Sequence, residues 1–231
     1  MERSEFVGKQ NVEAPFQHYS ALYERAEPLE IAARTGLTWD AGRGRFAVRL
    51  VGKLYYVDHP DFLVYDADMA DDADTIDDAD TAGDGVLRDA YDELFILRYL
   101  TEGRYVPETG GRLSYAELPW GSVYLTQFKG RVIGRLVREF GGDLARFKRA
   151  AEMMPGLVWE ALGGCDAGYR FEFMTGYFLS ILFWEGDEEF PASAQVLFDD
   201  NVRTAFTAED LAAAGDIVIG RLKKNAGRAH A

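Results

Sequence analysis

The first third of the chain alternates between helical and strand-like spacing of its apolar residues. Residues 14–26 place an aromatic or aliphatic side chain every three or four positions, which predicts a helix. Pro28 and Gly36 bracket a short second helix, because proline favours a first turn and glycine a helix end. The runs FAVRLVG and KLYYV then alternate apolar and polar residues, which predicts a β-hairpin. The turn of this hairpin is expected around Gly52 and Lys53, and FLVYDA is a predicted third strand.

The middle of the chain has mainly helical spacing. Residues 86–101 carry the widest apolar face and predict the strongest helix. Residues 122–128 and 132–140 also predict helices, which we expect Gly130 to separate. Asp143 is a suitable N-cap for the helix that follows.

The last third returns to strands before a closing helix. Residues 169–184 are rich in aromatics and predict two strands hinged near Gly176, with SAQVLFD as a further strand. Thr207 is a suitable N-cap for the final helix. No regular βαβ alternation occurs, so the pattern predicts an α+β fold. We expect a single domain over residues 1–231, with an antiparallel sheet packed against several helices.

The distribution of charge identifies one segment that does not fit this pattern of helices and strands. The 231 residues carry a net charge of −14, and nine aspartates fall within residues 66–84 with no lysine or arginine among them. A stretch this polar cannot bury enough apolar area to offset the conformational entropy that it would lose on folding. We therefore expect it to form a solvated insertion loop. Nucleic acid and anionic membranes need basic surface and are not expected partners. The lack of a membrane-length apolar run or signal-peptide core predicts a cytoplasmic protein.

Recognised catalytic signatures are missing from the sequence. It contains no phosphate-binding GK[ST] loop, HExxH or GxSxG motif. His18, His59 and His230 are scattered and are expected to have structural roles. Cys165 lies among glycine and aspartate, which would not activate a thiolate, so it is expected to be incidental. The catalytic residues, the cofactor and the oligomeric state therefore remain unknown at this stage, and no metal ligand is assigned.

The segment WEGDEEFP is the most suggestive for chemistry. Trp184 is followed by Glu185, Asp187, Glu188 and Glu189 at the end of an apolar predicted strand. These carboxylates would suit a hard cation such as magnesium or an acid/base pair for proton transfer. A solvated hairpin turn explains the same residues. Aromatic residues bracket the acids, as they often do in pockets, so we expect Trp184 and the acids to line a sheltered recess.

A second candidate is a stripe on a predicted helix. Trp120, Tyr124, Gln127 and Arg131 share one helical face and would suit an anionic small molecule. Helix packing with an arginine that reaches water explains the same stripe. Arg98 lies among apolar residues and needs a partner, for which the late acids are available in principle. Tyr124, Arg131 and Arg98 are therefore kept as ligand-lining candidates.

These segments together resemble a known family. FILRYLTEG, ELPWGSVYLTQFKGRV, LFWEGDEEFPASAQVLFDDN and TAEDL are similar to hallmarks of domain-of-unknown-function family 3786 of anaerobic bacteria and archaea, over about residues 16–222. The resemblance implies no established activity. Some relatives carry an added cysteine-rich iron–sulfur segment, which implies work near redox or corrinoid proteins. With one cysteine, this chain would need a partner protein for any iron–sulfur role.

Three functional hypotheses follow. The first is an accessory protein that binds a small molecule or a protein, near redox or corrinoid metabolism, with its site beside Trp184. The second is a divalent-metal-dependent enzyme that uses the WEGDEE loop. The third is an interaction module whose exposed aromatics dock a redox partner while the acidic loop tunes the rate of encounter.

Overall fold

The structure is a computed structural model that describes residues 3–70, 86–87, 89–158 and 162–228. Antiparallel strands and helices occupy separate stretches of the chain, which confirms the predicted α+β class. The chain divides into two compact units, Met1–Tyr105 and Val106–Ala231. This division does not test the expectation of one domain over residues 1–231, which stays a prediction. The described residues include no helix that is long and apolar enough to cross a membrane.

The first unit contains a small antiparallel sheet and four helices among its described residues. The strands are β1 (Thr38–Asp40), β2 (Arg45–Leu50), β3 (Lys53–Asp58) and β4 (Val64–Asp66), in the spatial order β4, β3, β2, β1. The helices are α1 (Arg3–Arg25), α2 (Pro28–Thr35), α3 (Ala67–Ala70) and α4 (Ala90–Glu102).

Alternation along the strands gives the first sheet one buried face. Phe46, Val48 and Val57 are fully buried, whereas Arg49 between them in sequence is exposed. The buried face packs against helices, as the 6.5 Å separation of the Tyr23 and Phe46 ring centroids shows. The hairpin prediction is confirmed.

Two expectations for the first unit need correction. The turn between β2 and β3 consists of Val51 and Gly52, both with positive φ, as a two-residue hairpin turn requires. Helix α4 starts at Ala90 rather than at residue 86, because Asp89 accepts the N–H groups of Tyr91 and Asp92 and caps it there.

The acidic segment is only partly described. Its first residues are not loop, since Asp66 ends β4 and residues 67–70 form α3. Lys53 of the neighbouring strand forms an ion pair with Asp66. Residues 71–84, on which the prediction of a solvated loop mainly rests, lie outside the described residues.

The second unit is built on a larger antiparallel sheet. Its strands are β5 (Arg112–Ser114), β6 (Leu157–Val158), β7 (Ala167–Met174), β8 (Tyr177–Trp184) and β9 (Ser193–Asp199), in the spatial order β5, β9, β8, β7, β6. The predicted hinge at Gly176 is confirmed, and its φ of 75° suits glycine.

Helices cover one face of this second sheet. They are α5 (Gly121–Phe128), α6 (Gly134–Phe140), α7 (Leu144–Glu152) and α8 (Ala208–Arg228), with short 3-10 turns at Tyr115–Glu117 and Asp200–Thr204. Phe147 of α7 stacks on Phe183 of β8 at 4.9 Å, and Phe128 of α5 lies 6.3 Å from Phe198 of β9. The caps predicted at Asp143 and Thr207 are confirmed.

Gly130 does not interrupt the helical segment as we expected. Residues Lys129–Ile133 form a single π-helical turn, so α5 continues into α6 without a break. A π turn inserts one residue into the helical ladder while keeping its hydrogen bonds. The result is one continuous helix from Gly121 to Phe140.

Candidate functional site

The start of α5 is a tight turn that only glycine can close. The Gly121 N–H donates to the carbonyl of Leu118 at 2.9 Å, and a Cβ on Gly121 would lie 1.8 Å from the Tyr115 carbonyl oxygen. This turn forces Trp120 into the left-handed region, with φ 64° and ψ −2°. That conformation is unfavourable for a bulky residue, so Trp120 is held in strain by its neighbours.

The inner side of α5 is fixed by aromatic packing. The ring of Tyr115 stacks on the ring of Phe128 with centroids 3.9 Å apart, and both side chains are buried. The Tyr115 hydroxyl donates to the Ala208 carbonyl at 2.8 Å, which joins this corner to α8. Burial raises the pKa of Tyr115, so its hydroxyl remains a neutral donor at physiological pH.

The outer side of α5 carries large apolar side chains that are exposed to solvent. Trp120 is 76% exposed, Val123 66% and Tyr124 47%. Tryptophan and tyrosine are enriched among the residues that dominate binding energy at protein interfaces, and Val123 extends the exposed apolar surface beside them. We call this surface the α5 face; it consists of the exposed residues Trp120, Val123, Tyr124, Gln127, Lys129 and Arg131.

The α5 face lies in a basic stretch of an acidic protein. Residues 118–138 contain four basic residues and no acidic one. Arg131 bonds to Asp216 on α8, and Arg135 Nη1 lies 3.6 Å from the same carboxylate. Burial raises the pKa of Asp216, although the two guanidinium groups act to lower it. Arg131 is thereby held in place while its side chain stays 59% exposed.

The π turn fixes the basic end of the α5 face against α8. A Cβ on Gly215 of α8 would lie 2.9 Å from Val132 Cγ1, so only glycine permits this close approach. Val132 is fully buried, whereas Lys129 and Gly130 on the outer side of the same turn are exposed. The turn therefore presents Lys129 and Arg131 to solvent from a rigid support.

The second candidate region is the hairpin turn between β8 and β9. Trp184 Nε1 donates to the Gly164 carbonyl at 2.8 Å, and the Glu185 N–H donates to Asp166 at 2.9 Å. These bonds fix the strand end before the turn. The indole is therefore anchored to the neighbouring loop by its polar edge.

Asp187 holds the turn itself in shape. Its Oδ1 accepts the N–H groups of Glu189 at 2.8 Å and Phe190 at 2.7 Å. These backbone hydrogen bonds, from Phe190 and Glu189 in that order, hold the pKa of Asp187 below its usual value. A Cβ on Gly186 would lie 2.6 Å from the Ala192 nitrogen, so the turn is tight. We call residues 185–190 the acidic turn.

The acids of this turn face water. Glu185, Asp187, Glu188 and Glu189 are all exposed, and Phe190 is 68% exposed. The structure therefore places these side chains on the surface rather than in the recess we expected. Among the residues that the structure describes, no group of three or more His, Cys, Asp or Glu side chains is arranged to hold a metal ion.

The structure brings some candidate residues together and separates others. Tyr124 and Arg131 share the α5 face, and Trp184 and its acids share the β8–β9 turn. Arg98 lies on α4 in the first unit, half-buried, with its guanidinium carbon 5.3 Å from the Tyr19 ring centroid. Ligand binding by any of these residues is not tested and stays a prediction.

The remaining single candidates have local contacts. His59 Nε2 lies 3.1 Å from the Tyr23 carbonyl oxygen, and His18 is exposed on α1. The Cys165 thiol donates to the Leu162 carbonyl at 3.4 Å. The structural roles expected for the histidines and the incidental role expected for Cys165 stay predictions. His230 lies outside the described residues.

Sequence reasoning missed the central part of the α5 face. Val123 and Lys129 were not selected, and Trp120 was considered only as part of a stripe. A usable signal exists in the segment LPWGS, because proline followed by an arbitrary residue and glycine is typical of a tight turn. In the structure this turn gives the residue before that glycine a positive φ, which the sequence alone does not specify.

The fold and the α5 face together describe an α+β protein with an exposed aromatic and basic helix surface. The chain belongs to the family Domain of unknown function (DUF3786), whose family model matches residues 27–221. Comparison with curated proteins and with solved structures gave no match.

Proposed function

We propose that this protein is an accessory protein that binds another protein through the α5 face. The observation that carries the proposal is Trp120, which is strained at φ 64° and yet 76% exposed. Strain of this kind persists where the surroundings impose it, and it concentrates at functional sites. The residues that the structure describes leave this residue 76% exposed, so a partner is the natural source of its compensating contacts.

The chemistry of the α5 face specifies the partner. Trp, Tyr and Arg are the residues most enriched among those that dominate binding energy. Lys129 and Arg131 border the exposed apolar side chains, so the matching surface carries acidic residues around an aromatic or aliphatic centre. The groups on the α5 face are ring, alkyl, amide, hydroxyl and cationic groups, which suit docking rather than covalent catalysis.

The cellular setting of the proposal comes from the family resemblance. We place the protein in the cytoplasm, near redox or corrinoid proteins, and any redox group there is carried by such a protein rather than by this chain. The proposal includes a small-molecule ligand only as a group that a bound protein carries. No specific contact among the described residues favours the alternative of a divalent-metal-dependent enzyme.

A titration with short peptides tests the docking role. The probe is a peptide with one phenylalanine among four glutamates, and the control peptide has lysines in place of the glutamates. In 15N spectra of the full chain, the acidic peptide is expected to shift the Trp120 indole signal while the basic peptide does not. Val123→Asp is expected to abolish the shift, because it places a charge at the centre of the face. Equal responses to both peptides, or no response to either from a monomeric chain, contradict the proposal.

A further inference from the structure

The acidic turn has the properties of a preformed docking element. Phe190 is 68% exposed, and the two backbone bonds to Asp187 hold it there. Glu185, Glu188 and Glu189 are exposed in the same turn as this ring. A rigid turn loses little conformational entropy when it binds, which favours association.

The acidic turn and the α5 face are complementary. One presents an exposed aromatic ring in a turn that also carries exposed carboxylates, and the other presents aromatic and aliphatic side chains beside Lys129 and Arg131. The turn therefore matches the partner surface that the α5 face requires. Opposite charges steer the encounter, and the apolar side chains supply buried area on contact.

One copy of the chain cannot join its own two surfaces. The helix from Gly121 to Phe140 spans 20 residues, a length of about 30 Å. Trp120 precedes its first residue, whereas the acidic turn lies beyond its other end. This placement follows from Gly141, where a Cβ would lie 3.2 Å from Ala192 Cβ just after the turn. The acidic turn is therefore too distant to cover the Trp120 end of the same molecule.

We infer that the partner at the α5 face is the acidic turn of a second copy of this chain. This inference rests on the proposed docking function and names its partner. Each copy offers one turn and one face, so a two-fold dimer forms the same contact twice. Phe190 packs against Trp120 and Val123, and Glu188 lies near Lys129 of the other copy.

Sedimentation of the full chain in low salt tests this inference. The wild-type protein is expected to show a mass above the 25.8 kDa of one chain that rises with concentration. Phe190→Ala, Lys129→Glu and Glu188→Lys are each expected to weaken association by about tenfold or more. All three residues are exposed, so the variants are expected to keep the wild-type circular dichroism spectrum.

The decisive experiment mixes two of these variants and measures their association. Lys129→Glu retains a native turn, and Glu188→Lys retains a native face, so the mixture is expected to associate more tightly than either variant alone. A wild-type chain that stays monomeric at every concentration overturns the inference. So does association that none of the three substitutions weakens, or a mixture no tighter than its components.

The two proposals fail in different ways. If the acidic peptide shifts the Trp120 signal but the chain stays monomeric, the docking function stands and the second copy is not its partner. If neither peptide shifts that signal and the chain is monomeric, the docking function itself is wrong. If the chain associates but Val123→Asp does not weaken association, the contact lies elsewhere and the inference is overturned.

Discussion

The ring of Tyr115 lies parallel to the ring of Phe128, with centroids 3.9 Å apart and planes 9° apart. This stack holds the corner before α5 against the helix that follows it. The tight turn at Gly121 and the strained backbone of Trp120 depend on that corner. The buried stack of Tyr115 and Phe128 therefore fixes the direction of the exposed Trp120 side chain. In this way the core of the second unit supports the α5 face.

Gly121→Ala is expected to destabilise the protein strongly. Its Cβ would lie 1.8 Å from the backbone oxygen of Tyr115, which cannot move without breaking the corner. We expect a loss of about 3 kcal/mol in the free energy of unfolding, measured by chemical denaturation. Gly130→Ala is the matched control, since its Cβ would meet nothing within 4 Å and it lies in the same continuous helix. A comparable loss in both variants would refute the steric explanation.

Trp120→Asn is expected to stabilise the protein while removing peptide binding. Asparagine tolerates the left-handed conformation, so the substitution relieves about 1 kcal/mol of backbone strain. Val123→Asn is the control, because it removes a similar exposed contact without relieving strain and should change stability by less than about 0.5 kcal/mol. Thermal unfolding gives the stability, and the backbone 15N–1H signals of Tyr124 and Gln127 during the peptide titration report binding, since this variant has no indole at position 120. A Trp120→Asn protein that is less stable than the wild type would show that the conformation is not strained.

Asp187 is expected to support self-association mainly because its side-chain oxygen accepts hydrogen bonds within the acidic turn, and less because of its negative charge. Asp187→Ala removes the acceptor for the Glu189 and Phe190 N–H groups, so it is expected to loosen the turn. It is also expected to weaken self-association by releasing Phe190 from its fixed position. Asp187→Asn keeps an oxygen acceptor at this place, so association should be largely retained. If both variants associate equally weakly, charge rather than turn geometry is responsible.

Glu139 is expected to make stability depend on pH in the acid range. Burial acts to raise the pKa of Glu139, but hydrogen bonds from Arg146 at 2.6 Å and Lys223 at 3.1 Å outweigh it and hold that pKa below the ordinary value of 4.5. A carboxyl with a lowered pKa in the folded state contributes stability above its unfolded pKa. That contribution is lost as the pH falls through the folded pKa.

Glu139→Gln tests this pH dependence. At neutral pH the variant is expected to be less stable than the wild type by about 1–2 kcal/mol, since the charged partners on α7 and α8 lose their carboxylate. The difference between the two proteins should shrink as the pH falls below 4.5, followed by urea denaturation across that range. A Glu139→Gln difference that grows at low pH would contradict the direction of the shift.

Long elements with strong periodicity were predictable from the sequence. The β2–β3 hairpin and the β7–β8 pair followed from alternation, and α8 followed from its Thr207 cap. Strands β1, β5 and β6 were missed, because two or three residues are too few to show a period and form only through pairing. The continuity of the helix through Gly130 was also missed, since a π turn leaves no mark in residue spacing.

The candidate site was less predictable than the fold. Acids bracketed by aromatics at residues 184–190 suggested a recess, but a turn can direct such side chains inward or outward with the same sequence. The direction is set by bonds to distant residues, such as Trp184 Nε1 to the Gly164 carbonyl. The exposure of Trp120 likewise depends on the clash that Gly121 avoids with Tyr115, which only the folded geometry reveals.

The most direct test of the account compares two indole signals in one spectrum. Trp120 lies on the α5 face, whereas Trp39 packs 4.7 Å from the Phe46 ring in the first unit and serves as an internal control. We expect the glutamate-rich peptide to shift the Trp120 signal in a saturable way, less strongly in high salt, and to leave Trp39 unchanged. A Trp120 signal that does not move in a monomeric chain, or that moves together with Trp39, would contradict protein docking at the α5 face.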